Sequence, residues 1–166
     1  MIQKSADRLT TTKTYWAAVG SGPNKASADE IRIKLSELCY KTLSSDFIED
    51  KKHIDLSSEP LIIVCAAGSR PTVIGDIIKD TAIFKAHKAT PVVIANEGEH
   101  RFDPYSADVF HVPVVAEHLA PIVNTLVGHI WGYYAALAIN DGSGFFYNFR
   151  EILQRTIEEY ARKGLN

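Results

Sequence analysis

Apolar positions fall into two kinds of run along this chain. Short, nearly continuous runs occur at Tyr15 to Val19, Leu61 to Ala66 and Pro91 to Ala95, and at Val109 to Val112 with one histidine. Between them, apolar residues recur every three or four positions, as Ala28, Ile31, Leu35 and Leu38 do, and then Ile74, Ile77, Ile78 and Phe84. The first pattern predicts four strands covered on both faces, and the second predicts helices with one apolar stripe. The long segment Glu117 to Ile139 predicts a buried helix, ended by Asn140-Asp141-Gly142 in the manner of a left-handed cap. Phe149, Ile152, Ile157 and Tyr160 predict one more helix near the carboxyl end.

Alternating strands and helices call for a parallel sheet with helices on both faces, because parallel neighbours need crossover connections. The predicted fold class is α/β, a three-layer αβα sandwich with a mostly parallel sheet. Ligands in such sheets bind beyond the carboxyl ends of the strands. The loops of interest are therefore Gly20 to Lys25, Ala67 to Thr72 and Asn96 to Ser106.

The chain has 166 residues, enough for one domain with its own core. An apolar share of 46% and a charged share of 23% exclude a disordered tail, a collagen-like repeat and a coiled coil. A net charge of -2 leaves no electrostatic footprint for nucleic acid or an acidic membrane. Cys39 and Cys65 sit inside apolar stretches, so they read as core residues in a reducing compartment. Residues Met1 to Thr14 lack the apolar middle of a signal peptide, which predicts a cytoplasmic location. Leu119 to Ile139 is long enough to span a bilayer, but Pro121, Asn124 and His129 within it favour a buried helix.

Several residues could carry chemistry. Gly20-Ser21-Gly22 lies between a strand and a helix, but Lys25 stands where a dinucleotide fingerprint has its third glycine. A tight turn is the simpler reading, and no nicotinamide, flavin or other cofactor is expected. Glu30, Lys34 and Glu37 share one face of the first helix at spacings of four and three. They form either a solvated face of ion pairs or a proton-shuttling carboxylate with a lysine beside it. His53 is either a surface histidine or an acid–base group near neutral pH. The remaining histidines, His87, His100, His111, His118 and His129, show no ligand spacing, so no metal site is expected. Ser69, Arg70 and Thr72 precede the second helix, where hydroxyls either cap the helix or help hold a phosphate.

Ala18 to Asn24, continuing through Glu30-Ile31-Arg32-Ile33-Lys34-Leu35-Ser36-Glu37-Leu38-Cys39-Tyr40, resembles the start of a sugar isomerase (SIS) domain. The likeness is to the second SIS domain of the glucosamine-6-phosphate synthases, which write this segment Gly-x-Gly-x-Asn, a glutamate, then Lys-Leu-x-Glu-x-x-Tyr. It extends to Glu117-His118-Leu119-Ala120-Pro121-Ile122, which is similar to the family's acidic start of its long helix. The resemblance implies a flavodoxin-like sheet, a phosphosugar ligand, and pairing with a second copy or a second SIS domain. It implies Glu37 as the base that moves a proton between C1 and C2 of a hexose 6-phosphate, and His53 as the ring-opening group. By the same likeness Glu30 and Lys34 line the site, and Ser69 and Thr72 faintly echo a phosphate loop. Two features depart from the family: Ile54-Asp55 follows His53 in place of Gly-Pro, and the near-terminal imine lysine has no match. Residues 1–14 read as linker-like, 15–140 as the SIS domain and 141–166 as a helical extension, all as part of a larger protein. The isolated chain is expected to be inactive, and a non-catalytic binding or dimerisation module is the alternative.

Overall fold

Five strands form the sheet in this computed structural model, which describes residues 1–53, 58–142 and 144–164. They are β1 (Trp16–Gly20), β2 (Leu43–Asp46), β3 (Leu61–Cys65), β4 (Thr90–Asn96) and β5 (Asp108–Val112). Their order is β2-β1-β3-β4-β5 and every pair is parallel, the flavodoxin-like arrangement. The helices are α1 (Ile2–Thr10), α2 (Asn24–Cys39), α3 (Ile48–Lys51), α4 (Pro71–Ala86), α5 (Ala120–Gly142) and α6 (Gly144–Arg162).

Successive side chains of a strand point to opposite faces, so the continuous apolar runs build two cores at once. Trp16, Ala18, Leu61, Ile63, Val92 and Ile94 face α1, α2 and α5, where they meet Ile31, Leu35 and Trp131. Ala17, Val19, Ile62, Val64 and Val93 face the other way and meet Ile48 of α3 and Ile77 and Phe84 of α4. The predicted three-layer αβα sandwich is the observed one. Cys39 and Cys65 are buried, and burial pushes both thiols up to about 12, which keeps them protonated.

Three local expectations differ from the structure. Strand β2 went unpredicted because Leu43-Ser44-Ser45-Asp46 carries one buried apolar residue, all that this edge position requires. The segment read as linker-like contains α1, whose inward face is Ser5, Ala6, Leu9 and Thr10. Small and polar residues form most of that face, so no apolar stripe announces it, and Trp131 Nε1 donates to Ser5 Oγ at 3.2 Å. Helix α5 runs through Asn140, Asp141 and Gly142, so no left-handed cap ends it there. Ile54 and Asp55 lie outside the described residues.

Helix α5 is long and apolar enough to cross a membrane. In this fold it is a core helix, with Trp131 and Ala135 fully buried against the sheet and α2. Gly128 permits that contact, because a Cβ there would collide with the Ile31 side chain. Gly128→Ala is expected to lower unfolding stability by about 1–3 kcal/mol through overpacking. Gly75, exposed in α4 with nothing near its would-be Cβ, is the opposite case. Gly75→Ala is expected to raise stability by roughly 0.5–1 kcal/mol. Urea unfolding of the two variants checks both signs.

Candidate functional site

The strand order reverses between β1 and β3, which opens a crevice beyond their carboxyl ends. Two sixteen-residue helices start at this point, α2 after the β1 turn and α4 after the β3 turn. Neither has a side-chain hydrogen bond capping its start; backbone carbonyls accept from Asn24, Lys25 and Ala26 of α2 and from Val73 and Ile74 of α4, and both starts present partial positive charge. Ser69 and Thr72 therefore do not serve as side-chain caps of α4.

The β1 turn is built by glycines. A Cβ on Gly20 would collide with the Asn24 carbonyl, and Gly22 adopts φ +57°. Gly68, in the β3 turn, has φ +69° and packs so near Ala120 that a side chain would strike it. Beneath both turns lies a buried amide pair. Asn24 Nδ2 donates to the Ala67 carbonyl at 2.8 Å and to Ser69 Oγ at 3.4 Å. Asn124 Nδ2, from α5, donates to Asn24 Oδ1 at 3.1 Å, to the Ala67 carbonyl at 3.1 Å and to the Ala120 carbonyl at 2.9 Å. Asn96, at the end of β4, holds the Gly68 N–H at 2.9 Å.

Two cavities open above this frame and share Ser69. One, about 70 Å³, is lined by Ser21, Gly22, Asn24, Ser69, Arg70 and Glu117. Arg70 Nε donates to Glu117 Oε2 at 2.6 Å across its mouth. The other, about 450 Å³, lies between the ends of β3 and β4 and is lined by Ser69, Pro71, Asn96, Glu97, Glu99 and Arg101 among others. Arg101 donates to both Glu99 oxygens, at 2.9 Å and 2.5 Å, and this holds the Glu99 carboxyl below its ordinary value. The pair of cavities offers hydroxyls, the positive ends of two helices and two guanidinium groups, a set suited to a polar anionic ligand. Ser69 lines both cavities, whereas Thr72, exposed one residue into α4, lines neither.

The α2 residues stand elsewhere. Lys34 Nζ pairs with Glu37 Oε2 at 2.8 Å, an exposed contact that holds the lysine above its ordinary value. Glu30 Oε1 lies 3.2 Å from His129 Nε2, beside an apolar cavity of about 430 Å³ between α2 and α5. His129 is a partner that spacing could not supply, because it comes from a helix distant in sequence. Glu37 and His53 are not brought together. Helix α2 runs back along the sheet, so Glu37 in its last turn lies toward the amino ends of the strands on the α1–α2–α5 face. His53 is exposed just after α3, which packs on the opposite face.

Fold and crevice together define the class: this is the fold of a sugar isomerase (SIS) domain. No protein-family model matches the chain. In sequence it is similar to the isomerising glutamine–fructose-6-phosphate aminotransferase of Methanosarcina mazei, with 28% identity over 142 residues, 83% of this chain and 22% of that protein. In structure it is similar to the C-terminal domain of glucosamine-fructose-6-phosphate aminotransferase from Francisella tularensis, with TM-score 0.73 and 16% identity over 84% of this chain and 39% of that one. The sugar isomerase domain of an RpiR transcription factor from Sphaerobacter thermophilus has TM-score 0.65 and 13% identity, over 85% of this chain and 84% of that one. The chain thus spans less than a quarter of the length of the curated relative it matches.

The buried amide pair makes a stability prediction. Asn24→Ala removes the Asn24 bond to Ala67 and is expected to cost about 1–3 kcal/mol in urea unfolding. Thr72→Ala, on the exposed start of α4, is expected to stay within about 0.5 kcal/mol of the wild type.

Proposed function

We propose that this chain is a phosphosugar-binding SIS domain whose ligand sits in the crevice at the β1–β3 reversal. The observation that carries the proposal is the meeting of two uncapped helix starts with Ser21, Ser69 and Arg70 at one opening. A phosphate there would accept from the Ser21 and Ser69 hydroxyls beside two positive helix starts, and Arg70 would exchange part of its pairing with Glu117 for the dianion. The similarity to proteins named for fructose 6-phosphate supports a hexose 6-phosphate as ligand. No cofactor or nucleic acid enters this reading, and its setting is the cytoplasm.

For the larger protein we propose aldose–ketose isomerisation, with Glu37 as the base between C1 and C2 and His53 assisting ring opening. One chain keeps these groups on separate faces of the sheet, so a second copy or a second SIS domain must complete the site. Helix α5 carries a surface for such pairing: Ile122, Leu126, Ile130, Tyr133 and Leu137 form an exposed apolar stripe at helical spacing. A second reading, a binding module without turnover, is favoured by the exposed Lys34–Glu37 pair and by the separation of Glu37 from His53.

Calorimetric titration with fructose 6-phosphate tests the binding site. Arg70→Ala is expected to weaken binding by about tenfold or more, the value of a charge-assisted hydrogen bond. An unchanged affinity would remove the crevice from the proposal. Catalysis is read separately, as exchange of the C2 proton of the sugar phosphate with solvent. The isolated chain is expected to show none, whereas the full-length protein exchanges and loses most of that rate in the Glu37→Gln variant. Equal exchange by the full-length protein and its Glu37→Gln form would exclude Glu37 as the base, and binding without exchange in either would establish the second reading.

A further inference from the structure

Behind the wall of the larger cavity, the connection after β4 and the strand that follows it bring three groups together. His100 and Asp103 belong to the connection after β4, and His111 to the edge strand β5. One ligand atom from each of the three residues lies within 4.8 Å of the others. His100 Nδ1 stands 3.3 Å from Asp103 Oδ2, and the two imidazole rings lie tilted at 60° with centroids 4.9 Å apart. His111 Nε2 lies 3.0 Å from the Glu99 carbonyl oxygen. A carbonyl can only accept, so that nitrogen carries the proton and Nδ1 of the neutral ring keeps its lone pair. A backbone carbonyl behind an imidazole is the support that metal-ligating histidines ordinarily have. Glu99 itself is anchored through both carboxylate oxygens by Arg101, which steadies the carbonyl that orients His111.

We propose that His100, Asp103 and His111 form a binding site for a divalent first-row transition metal. Two imidazoles and one carboxylate are a borderline donor set, which selects zinc, nickel, cobalt or copper over the harder magnesium and calcium. Three protein ligands leave coordination positions for water. All three residues are exposed, so the ion would exchange with solvent. The same connection supplies Glu97, Glu99 and Arg101 to the larger cavity, so the ion would tie the loop to β5 behind the cavity's polar wall. The site is independent of the sugar-phosphate reading and stands or falls separately from it.

The experiment is calorimetric titration of the whole chain with nickel chloride, repeated with cobalt while recording the visible spectrum. One ion per chain is expected, with a cobalt absorption band and a rise in thermal midpoint from binding to the folded state. His100→Ala and His111→Ala are each expected to weaken binding at least about tenfold, and Asp103→Asn to weaken it less. The side chains are exposed, and His100→Gln and His111→Gln keep their bulk if an alanine variant folds poorly. A variant carrying both His100→Ala and His111→Ala retains His53, His87, His118 and His129, so equally tight binding by it would overturn the proposal. Absence of binding by the wild type up to about 1 mM metal, corresponding to roughly 4 kcal/mol of affinity, would overturn it as well.

Discussion

The contact between Asn24 and Asn124 governs the geometry of the crevice. An amide N–H buried without an acceptor costs a few kcal/mol, and the two Nδ2 groups find theirs in Asn24 Oδ1 and the Ala67 carbonyl, while Asn124 Oδ1 is left without a partner. Meeting that requirement fixes three elements at once: the start of α2, the turn after β3 and the first turns of α5. The crevice is the space left above them. Gly20, Gly22 and Gly68 let the backbone close around the pair.

The sheet separates chemistry as well as cores. Residues of α2 and α5, including Glu30, His129, Lys34 and Glu37, lie on one face, while α3 and the following His53 lie on the other. The starts of α2 and α4 meet at the carboxyl ends of the strands although the helices cover opposite faces, but Glu37 lies in the last turn of α2, away from that meeting point. Helix α5 leaves Ile122, Leu126, Ile130, Tyr133 and Leu137 exposed along its outer side. The architecture occurs in more than one setting, since an aminotransferase domain and a transcription-factor domain share it.

The connection from Asn96 to Ser106 has two working sides. Toward the cavity it presents Glu97, Glu99 and Arg101, and toward β5 it presents His100 and Asp103. The bidentate Glu99–Arg101 contact belongs to both, since it shapes the polar wall while positioning the carbonyl that orients His111. A loop between the last two strands of a parallel sheet is well placed for this, because both of its ends are held by paired strands.

The layer architecture, four of the five strands and the principal helices were legible in the sequence because burial on both faces leaves a continuous apolar run and burial on one leaves a helical stripe. Asn124 was visible too, as a polar residue in an otherwise apolar stretch, although its partner was not. Strand β2 and helix α1 escaped because an edge position and a face made largely of small or polar residues leave no apolar period. The loop before α4 singled out Ser69 and Thr72, of which the structure places only Ser69 at the cavities, and spacing along one helix could not say that Lys34 and Glu37 pair in the open. Tertiary structure alone decided that His129 meets Glu30, that Arg70 spans to Glu117, and that His111 reaches His100 and Asp103. Periodicity records which side of an element is buried; only the path of the chain through space records which distant residue stands opposite.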